Sequence, residues 1–207
     1  MRTVFVNPER CIGCRQCEFA CAVEHSHSRD PVLALFEIPP PHPRIHVEPG
    51  PYFNSSFPNK CRHCSPAPCQ ASCPTAAIHR DAEQDLVLID AKKCITCAMC
   101  AMVCPFDAVT YYPMANGGPA RVTATKCDGC LERVRRGEIP ACVEACKVGA
   151  LVFGELNELV KSGRLRETGA VLAAAEAKSV APLAPETVTG WRSWGKAAAE
   201  LPVGGTS

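Results

Sequence analysis

The chain has 207 residues, sixteen of them cysteine, and a formal net charge of +1. A balance this close to neutral argues against a nucleic-acid footprint, and no apolar run reaches the roughly 18 residues that a membrane helix needs. Apolar residues make up 47% of the chain and only about 39% without the cysteines, so the hydrophobic core is expected to be thin and something else must staple the fold.

The N-terminus, MRTVFVNPERC, shows no apolar signal region and no twin arginine. The expectation is a protein kept in a reducing cytoplasm, where structural disulfides are rare, or held at a membrane through a partner. A short strand is expected at TVFV (3–6), leading into a first cysteine group of Cys11, Cys14, Cys17 and Cys21. After Cys21 comes a long stretch to Asn59 that is rich in Pro and His, with His25, His27, His42 and His46. Its IPPPHPRIHVEPGP segment cannot be regular helix. It is expected to drape over the sites that the cysteines build and to restrict water, with the histidines in structural roles.

The second group is Cys61, Cys64, Cys69 and Cys73, followed by strand candidates AIHRD and LVLI (86–89) around a turn at DAEQD (81–85). The third is Cys94, Cys97, Cys100 and Cys104, followed by AVTYY and a turn at Asn116-Gly117-Gly118. The fourth is Cys127, Cys130, Cys142 and Cys146, followed by ALVFG. Inside it, Arg133, Arg135 and Arg136 read as a solvated helix face or as a patch for an acidic partner. From Glu155 a helical pattern begins, interrupted by Gly163 and Gly169 and broken by APLAP (181–185). The only tryptophans, Trp191 and Trp194, either anchor a partner or fold back onto the body. The end, PVGGTS, is expected to be loose.

Every group opens with C-x2-C and closes with C-x3-C; between those ends lie two residues in the first and third groups, four in the second and eleven in the fourth. A disulfide framework would suit a secreted mini-protein. Structural zinc would suit two C-x2-C knuckles with a longer spacer, which the fourth group alone resembles. The third group matches the bacterial ferredoxin run, C-x2-C-x2-C-x3-C-P, in full, ending on Cys104-Pro105. The first group matches in its cysteines but has Ala22 in place of the proline, and the second keeps Cys73-Pro74 with one widened gap. Iron–sulfur is the favoured reading, because soft thiolates select such clusters and a tight loop can wrap three irons. After Cys73, Cys104 and Cys146, Ala recurs four residues on and a branched aliphatic five on. That is a repeated unit of strand, cluster loop, short helix and strand.

The four groups, in this order and with these spacings, resemble the dimethyl sulfoxide reductase iron–sulfur subunit family over roughly residues 3–155. Within it, CIGCRQCEFACAVEHS, KCRHCSPAPCQASCPTAAI and CAMCAMVCPF look most like the small subunits serving carbon monoxide dehydrogenase, hydrogenase–formate systems and tungsten aldehyde oxidoreductases. The resemblance implies an α+β fold of two fused two-cluster ferredoxin modules, with short antiparallel hairpins and short helices around the clusters, plus a helical C-terminal tail. The outer module would be 1–59 plus 112–155, with its Pro/His-rich insertion at 22–59; the inner module would be 60–111, and the tail 156–207.

It also implies four [4Fe-4S] clusters in which each module exchanges its last cysteines. The sets would be Cys11, Cys14, Cys17 with Cys146; Cys94, Cys97, Cys100 with Cys73; Cys61, Cys64, Cys69 with Cys104; and Cys127, Cys130, Cys142 with Cys21. The implied function is a non-catalytic electron wire. It would relay single electrons between a catalytic oxidoreductase subunit and a second electron donor or acceptor protein, in a hetero-oligomer without direct membrane insertion. A free-standing diffusible polyferredoxin and a cluster-assembly protein are the alternatives.

Overall fold

Short strands and short helices alternate around the cysteine groups in the computed structural model, which describes residues 2–50, 55–114 and 121–177. Two compact units divide the chain, one ending at Leu159 and the other beginning at Val160. The expectations for Asn116-Gly117-Gly118, APLAP, Trp191, Trp194 and PVGGTS lie outside the described residues.

In the first unit β1 (Arg2–Val6) leads through a 3-10 turn at Pro8–Arg10 to α1 (Gln16–Glu24). A second 3-10 turn at Leu33–Phe36 precedes β2 (Ile45–Pro49) and β3 (Ser56–Lys60). Then come α2 (Pro68–Ala71), β4 (Ile78–Arg80), β5 (Val87–Ile89), α3 (Met99–Met102), β6 (Thr110–Met114) and β7 (Arg121–Thr125). After α4 (Leu131–Arg135) and α5 (Ala141–Glu144), β8 (Leu151–Glu155) meets α6 (Leu156–Ala177), which runs on into the second unit.

Among the described residues the strands pair antiparallel in two-stranded sheets: β1 with β8, β2 with β3, β4 with β5, and β6 with β7. The β1–β8 pair closes the ends of the cysteine region on each other, Val4 facing Phe153 and Val6 facing Leu151. The Asn7 N–H extends it by donating to Ala150 O at 2.7 Å. Helices α2, α3 and α5 have four residues each. Pro68 opens α2 at a position where its missing N–H costs nothing, and the turn into Cys104-Pro105 stops α3.

The core is thin, as the composition implies. One cluster of buried side chains is Val4, Cys17, Cys21, Ile45, Val47, Cys142 and Leu151. The other is Ala67, Ala77, Ile78, Val87, Cys94, Cys100 and Ala124. Cysteines and alanines form most of the second, and in the first three cysteines sit among four aliphatics, so each core packs around thiols. Small side chains leave room there for a compact inorganic body.

Two elements depart from the expected pattern. The Pro/His-rich insertion contains strand β2, whose Ile45 and Val47 face inward between exposed or half-buried neighbours, a short period-two pattern hidden among prolines. Helix α6 passes through Gly163 and Gly169 without a break. Each glycine costs about 1 kcal/mol relative to alanine, and the Leu, Ala, Glu, Lys and Arg residues around them carry the helix across.

Candidate iron–sulfur centres

None of the sixteen cysteines is in a disulfide. Backbone conformation repeats at the same place in each group. The residue before the second cysteine is left-handed in all four C-x2-C loops: Gly13 at φ 69°, His63 at 50°, Thr96 at 59° and Gly129 at 71°. Only glycine adopts this conformation without strain, so His63 and the β-branched Thr96 hold it at a cost. A second repeat falls three residues after the last cysteine of groups two, three and four, at Ala76 (φ 51°), Asp107 (47°) and Gly149 (68°). Left-handed residues beside right-handed ones turn successive N–H groups into a concavity that suits an anion.

These loops bring cysteines together across groups. Cys11, Cys14, Cys17 and Cys146 line one cavity with Val47 and Leu151. Cys73, Cys94, Cys97 and Cys100 line a second with Ile78 and Tyr111. Cys61, Cys64, Cys69 and Cys104 line a third with Val87 and Lys126. In the fourth place, burial and then the nearby Cys127, Cys21 and Cys130 push the Cys142 thiol well above its ordinary value. Cys21 is raised by burial, against an Arg44 N–H bond, and further by Cys127 and Cys130. In each place the last cysteine of one group joins the first three of another.

The electrostatics favour a cationic guest. Burial, then Glu18, Cys11 and Cys146, pushes Cys17 up to about 11, against the pull of the Glu18 N–H. Burial and then Asp128 push Cys130 up to about 12. Four crowded buried thiols resist becoming bare thiolates unless iron compensates the charge. Donors then await the thiolates. Backbone N–H groups reach Sγ from Arg44 to Cys21 (3.2 Å), His63 to Cys61 (3.4 Å), Ala124 to Cys94 (3.5 Å), Gly129 to Cys127 (3.4 Å) and Leu151 to Cys146 (3.4 Å). The Tyr111 hydroxyl lies 3.3 Å from Cys100 Sγ, where it donates to a thiolate. At Cys73 burial pulls upward, but N–H groups of Ile78, Thr75 and Ala77 with the Thr75 hydroxyl outweigh it, and the thiol is lowered. The residues therefore fit the iron–sulfur group that their spacing suggests.

Several residues that carry no motif of their own hold these loops. Asp128, between Cys127 and Cys130, accepts from Arg44 Nη1 at 2.6 Å and from the Cys130 N–H at 2.9 Å, and pairs with His25 Nε2 at 3.2 Å. Burial pulls its carboxyl upward, yet the His25 bond and the His25 and Arg44 charges hold it well below the usual range. Arg80 donates to Cys64 O and Arg121 to Cys94 O. Lys60 donates to Cys61 O at 3.3 Å, and Lys126 donates to Cys127 O at 3.1 Å and to Val87 O. The one local signal is a lysine immediately before the first cysteine, present in groups two, three and four; Lys93, in the third, is exposed.

Two of the histidines have clear structural roles, as expected: His25 bridges Cys21 O and Asp128, and His42 stacks on Tyr112 at 3.9 Å. The insertion does cover two sites, through the Arg44 N–H on Cys21 and through Val47 against the Cys11 cavity. It also borders an open cavity of about 460 Å³ lined by His25, His42, Arg44 and Tyr112. The arginine run is neither bare nor a free patch. Arg133 binds Glu24, Glu138 and Glu144, Arg135 binds Asp81 and Glu83, and Arg136 binds Glu138.

A 4Fe-4S dicluster domain model matches residues 52–156, and a 4Fe-4S binding domain model matches residues 4–21. A protein of Rhodospirillum rubrum described as "Iron-sulfur protein" is 36% identical over 176 residues, covering 79% of this chain and 89% of its own. The B subunit of the anaerobic dimethyl sulfoxide reductase of Escherichia coli is 35% identical over 163 residues, 76% of this chain and 75% of that subunit. The chain belongs to the dimethyl sulfoxide reductase iron–sulfur subunit family. The Escherichia coli electron transport protein HydN is 36% identical over 172 residues, 76% of this chain and 90% of its own. Membership makes this an electron-transfer iron–sulfur protein of the kind that serves oxidoreductase systems, and its cofactors are [4Fe-4S] clusters. None of the helices among the described residues is long and apolar enough to cross a membrane.

Proposed function

We propose that this protein is a four-cluster electron wire docked to a catalytic oxidoreductase subunit. The ligand sets are Cys11, Cys14, Cys17 and Cys146; Cys127, Cys130, Cys142 and Cys21; Cys61, Cys64, Cys69 and Cys104; and Cys94, Cys97, Cys100 and Cys73. The observation that carries the reading is the convergence of each set across two groups, with the same left-handed loop position in all four. Cys61 adds to the rise of the Cys127 thiol, so those two sets are neighbours. With the two exchanges, this gives the order Cys11 set, Cys127 set, Cys61 set, Cys94 set.

The first two sets share one core and the last two the other, which supports two modules followed by the tail; the second core takes in Ala124, so the inner module includes the β6–β7 pair (Thr110–Met114 with Arg121–Thr125) as well as residues 60–111. The chain itself performs no bond-making chemistry. Its loops bind and orient the clusters, exclude water and hold donors at the sulfurs, while the clusters supply single-electron storage. The catalytic partner is of the carbon monoxide dehydrogenase, tungsten aldehyde oxidoreductase, formate dehydrogenase or hydrogenase type, and a second redox protein takes or gives the electron. The site of action is the cytoplasm, directly or at a membrane through a partner.

An apolar face on the insertion supports docking over free diffusion. Val32, Leu33, Leu35, Phe36 and Ile38 are between 59% and 96% exposed, yet they stand on a built loop. Glu37 accepts from the His27 and Ser28 N–H groups at 2.9 and 2.7 Å, and Asp30 accepts from those of Val32 and Leu33 at 2.8 and 2.9 Å. A patch of this kind marks an interface. Anaerobic size-exclusion of native extract tests the reading. The protein is expected to elute in a complex with the catalytic subunit; elution as a lone 22.2 kDa species would establish the diffusible polyferredoxin instead.

A further inference from the structure

Two lysines are almost wholly buried, Lys60 and Lys126, each 4% exposed. Among the described residues neither has a carboxylate partner; their ammonium groups meet only backbone carbonyls, Cys61 O for Lys60, and Val87 O and Cys127 O for Lys126. Burying a charge without a counter-charge is among the costliest things a fold can do. Two such charges in one small unit call for an anion nearby.

The placement is reciprocal. Lys60 directly precedes Cys61, but it lines a small cavity with His63 and with Cys127 of the neighbouring set. Lys126 directly precedes Cys127, but it lines the cavity of Cys61, Cys64, Cys69 and Cys104. Between them lies His63, buried, accepting the Val87 N–H at Nδ1. The pair therefore stands where the two modules meet, between the second and third cluster positions. Among the described residues the other two sets have no buried lysine or arginine: on the Cys94 loop the Arg121 that donates to Cys94 O is exposed, and Lys93 is exposed and 3.9 Å from Asp90.

We infer that Lys60 and Lys126 are potential-setting residues that make the two central clusters easier to reduce than they would otherwise be, so that an electron can cross between modules. This rests on the ligand sets proposed above. The step is a plain one-electron transfer from the donor that feeds the wire; no bond breaks and no proton moves. The electron adds one negative charge to a site already surrounded by four thiolates, and a fixed cation in a poorly screened interior lowers the cost of that addition. Each lysine reaches into the set opposite its own cysteine, so both sides of the module junction are biased together.

The test is an EPR-monitored redox titration of the full holoprotein, with iron and sulfide counted on the same samples. Lys60→Met and Lys126→Met keep the stem and delete the charge, while Lys60→Arg and Lys126→Arg keep the charge. In the Met variants two of the four signals are expected to fall in reduction equilibrium by about tenfold, roughly 60 mV for a one-electron couple. The other two signals should stay in place, and the Arg variants should match the wild type. Unmoved potentials at full iron content, or an equal shift of all four signals, would overturn the assignment. If a Met variant loses iron while its Arg counterpart keeps it, the charge is shown to matter; if both lose it, the role is one of shape and the inference fails. Wild-type protein with far fewer than about sixteen irons would sink the ligand sets themselves, whatever the variants do.

Discussion

The Cys94 set and the Cys127 set carry the same four sulfurs in opposite surroundings. Around Cys94, Cys97, Cys100 and Cys73 the donors are two hydroxyls, Tyr111 and Thr75, the Ala124 N–H at Cys94 and the N–H groups of Ile78, Thr75 and Ala77 at Cys73, with Cys97 open to solvent. Around Cys127, Cys130, Cys142 and Cys21 three of the sulfurs are buried, and the side-chain charges beside them are the Lys60 ammonium and the Asp128 carboxylate held by His25 and Arg44. Hydrogen bonds to thiolates favour the reduced, more negative state, and a neighbouring carboxylate disfavours it. One loop sequence, repeated, is thus expected to yield sites of different potential because of residues outside the repeat.

Removing a ligand breaks the comparison most severely. Cys73→Ala is expected to abolish or degrade the cluster that Tyr111 contacts, and Cys21→Ala the one beside Asp128, each lowering iron by about a quarter. Iron analysis with EPR of each variant checks this. If Cys73→Ala instead removed the signal of the Cys61 set, the exchange of last cysteines would be wrong.

Asp128→Asn sharpens it next. Loss of the charge should raise the potential of the Cys127 set by about tenfold in equilibrium, roughly 60 mV. It should also weaken the fold, because His25 and Arg44 lose their shared partner. Breaking a buried pair costs about 3–5 kcal/mol, and with the Asp128 side chain 27% exposed about 1–3 kcal/mol is the expected loss. A redox titration beside thermal unfolding of the same sample separates the two effects.

The smallest effect falls at the other site. Tyr111→Phe removes one hydroxyl from Cys100 and should lower that cluster's reduction equilibrium by about threefold, roughly 30 mV, with iron content unchanged. An equal shift at the Cys127 set would show that the contact is not local.

Much of this is legible in the chain. The four cysteine groups, the strand after each of the last three, and the β4–β5 hairpin around DAEQD follow from local spacing and turn chemistry. The exchange of last cysteines is implied by family resemblance, since spacing alone does not say which distant thiol completes a set. Strands β2 and β3 escape a sequence reading because prolines disguise both, Pro49 ending the first and Pro58 sitting within the second. The helix through Gly163 and Gly169 reads as interrupted because a glycine weakens a helix without having to end it. Asp128, Lys60 and Lys126 are invisible as functional residues for a different reason. A charged residue beside a cysteine looks solvated in the sequence, and only long-range packing against Val87, Arg44 and His25 buries it.

The most direct test of the whole account is the amount of iron and acid-labile sulfide per chain in protein purified anaerobically. Four cysteine-only sets predict about sixteen of each. A content near eight of each, in protein with all sixteen cysteines intact, would contradict it.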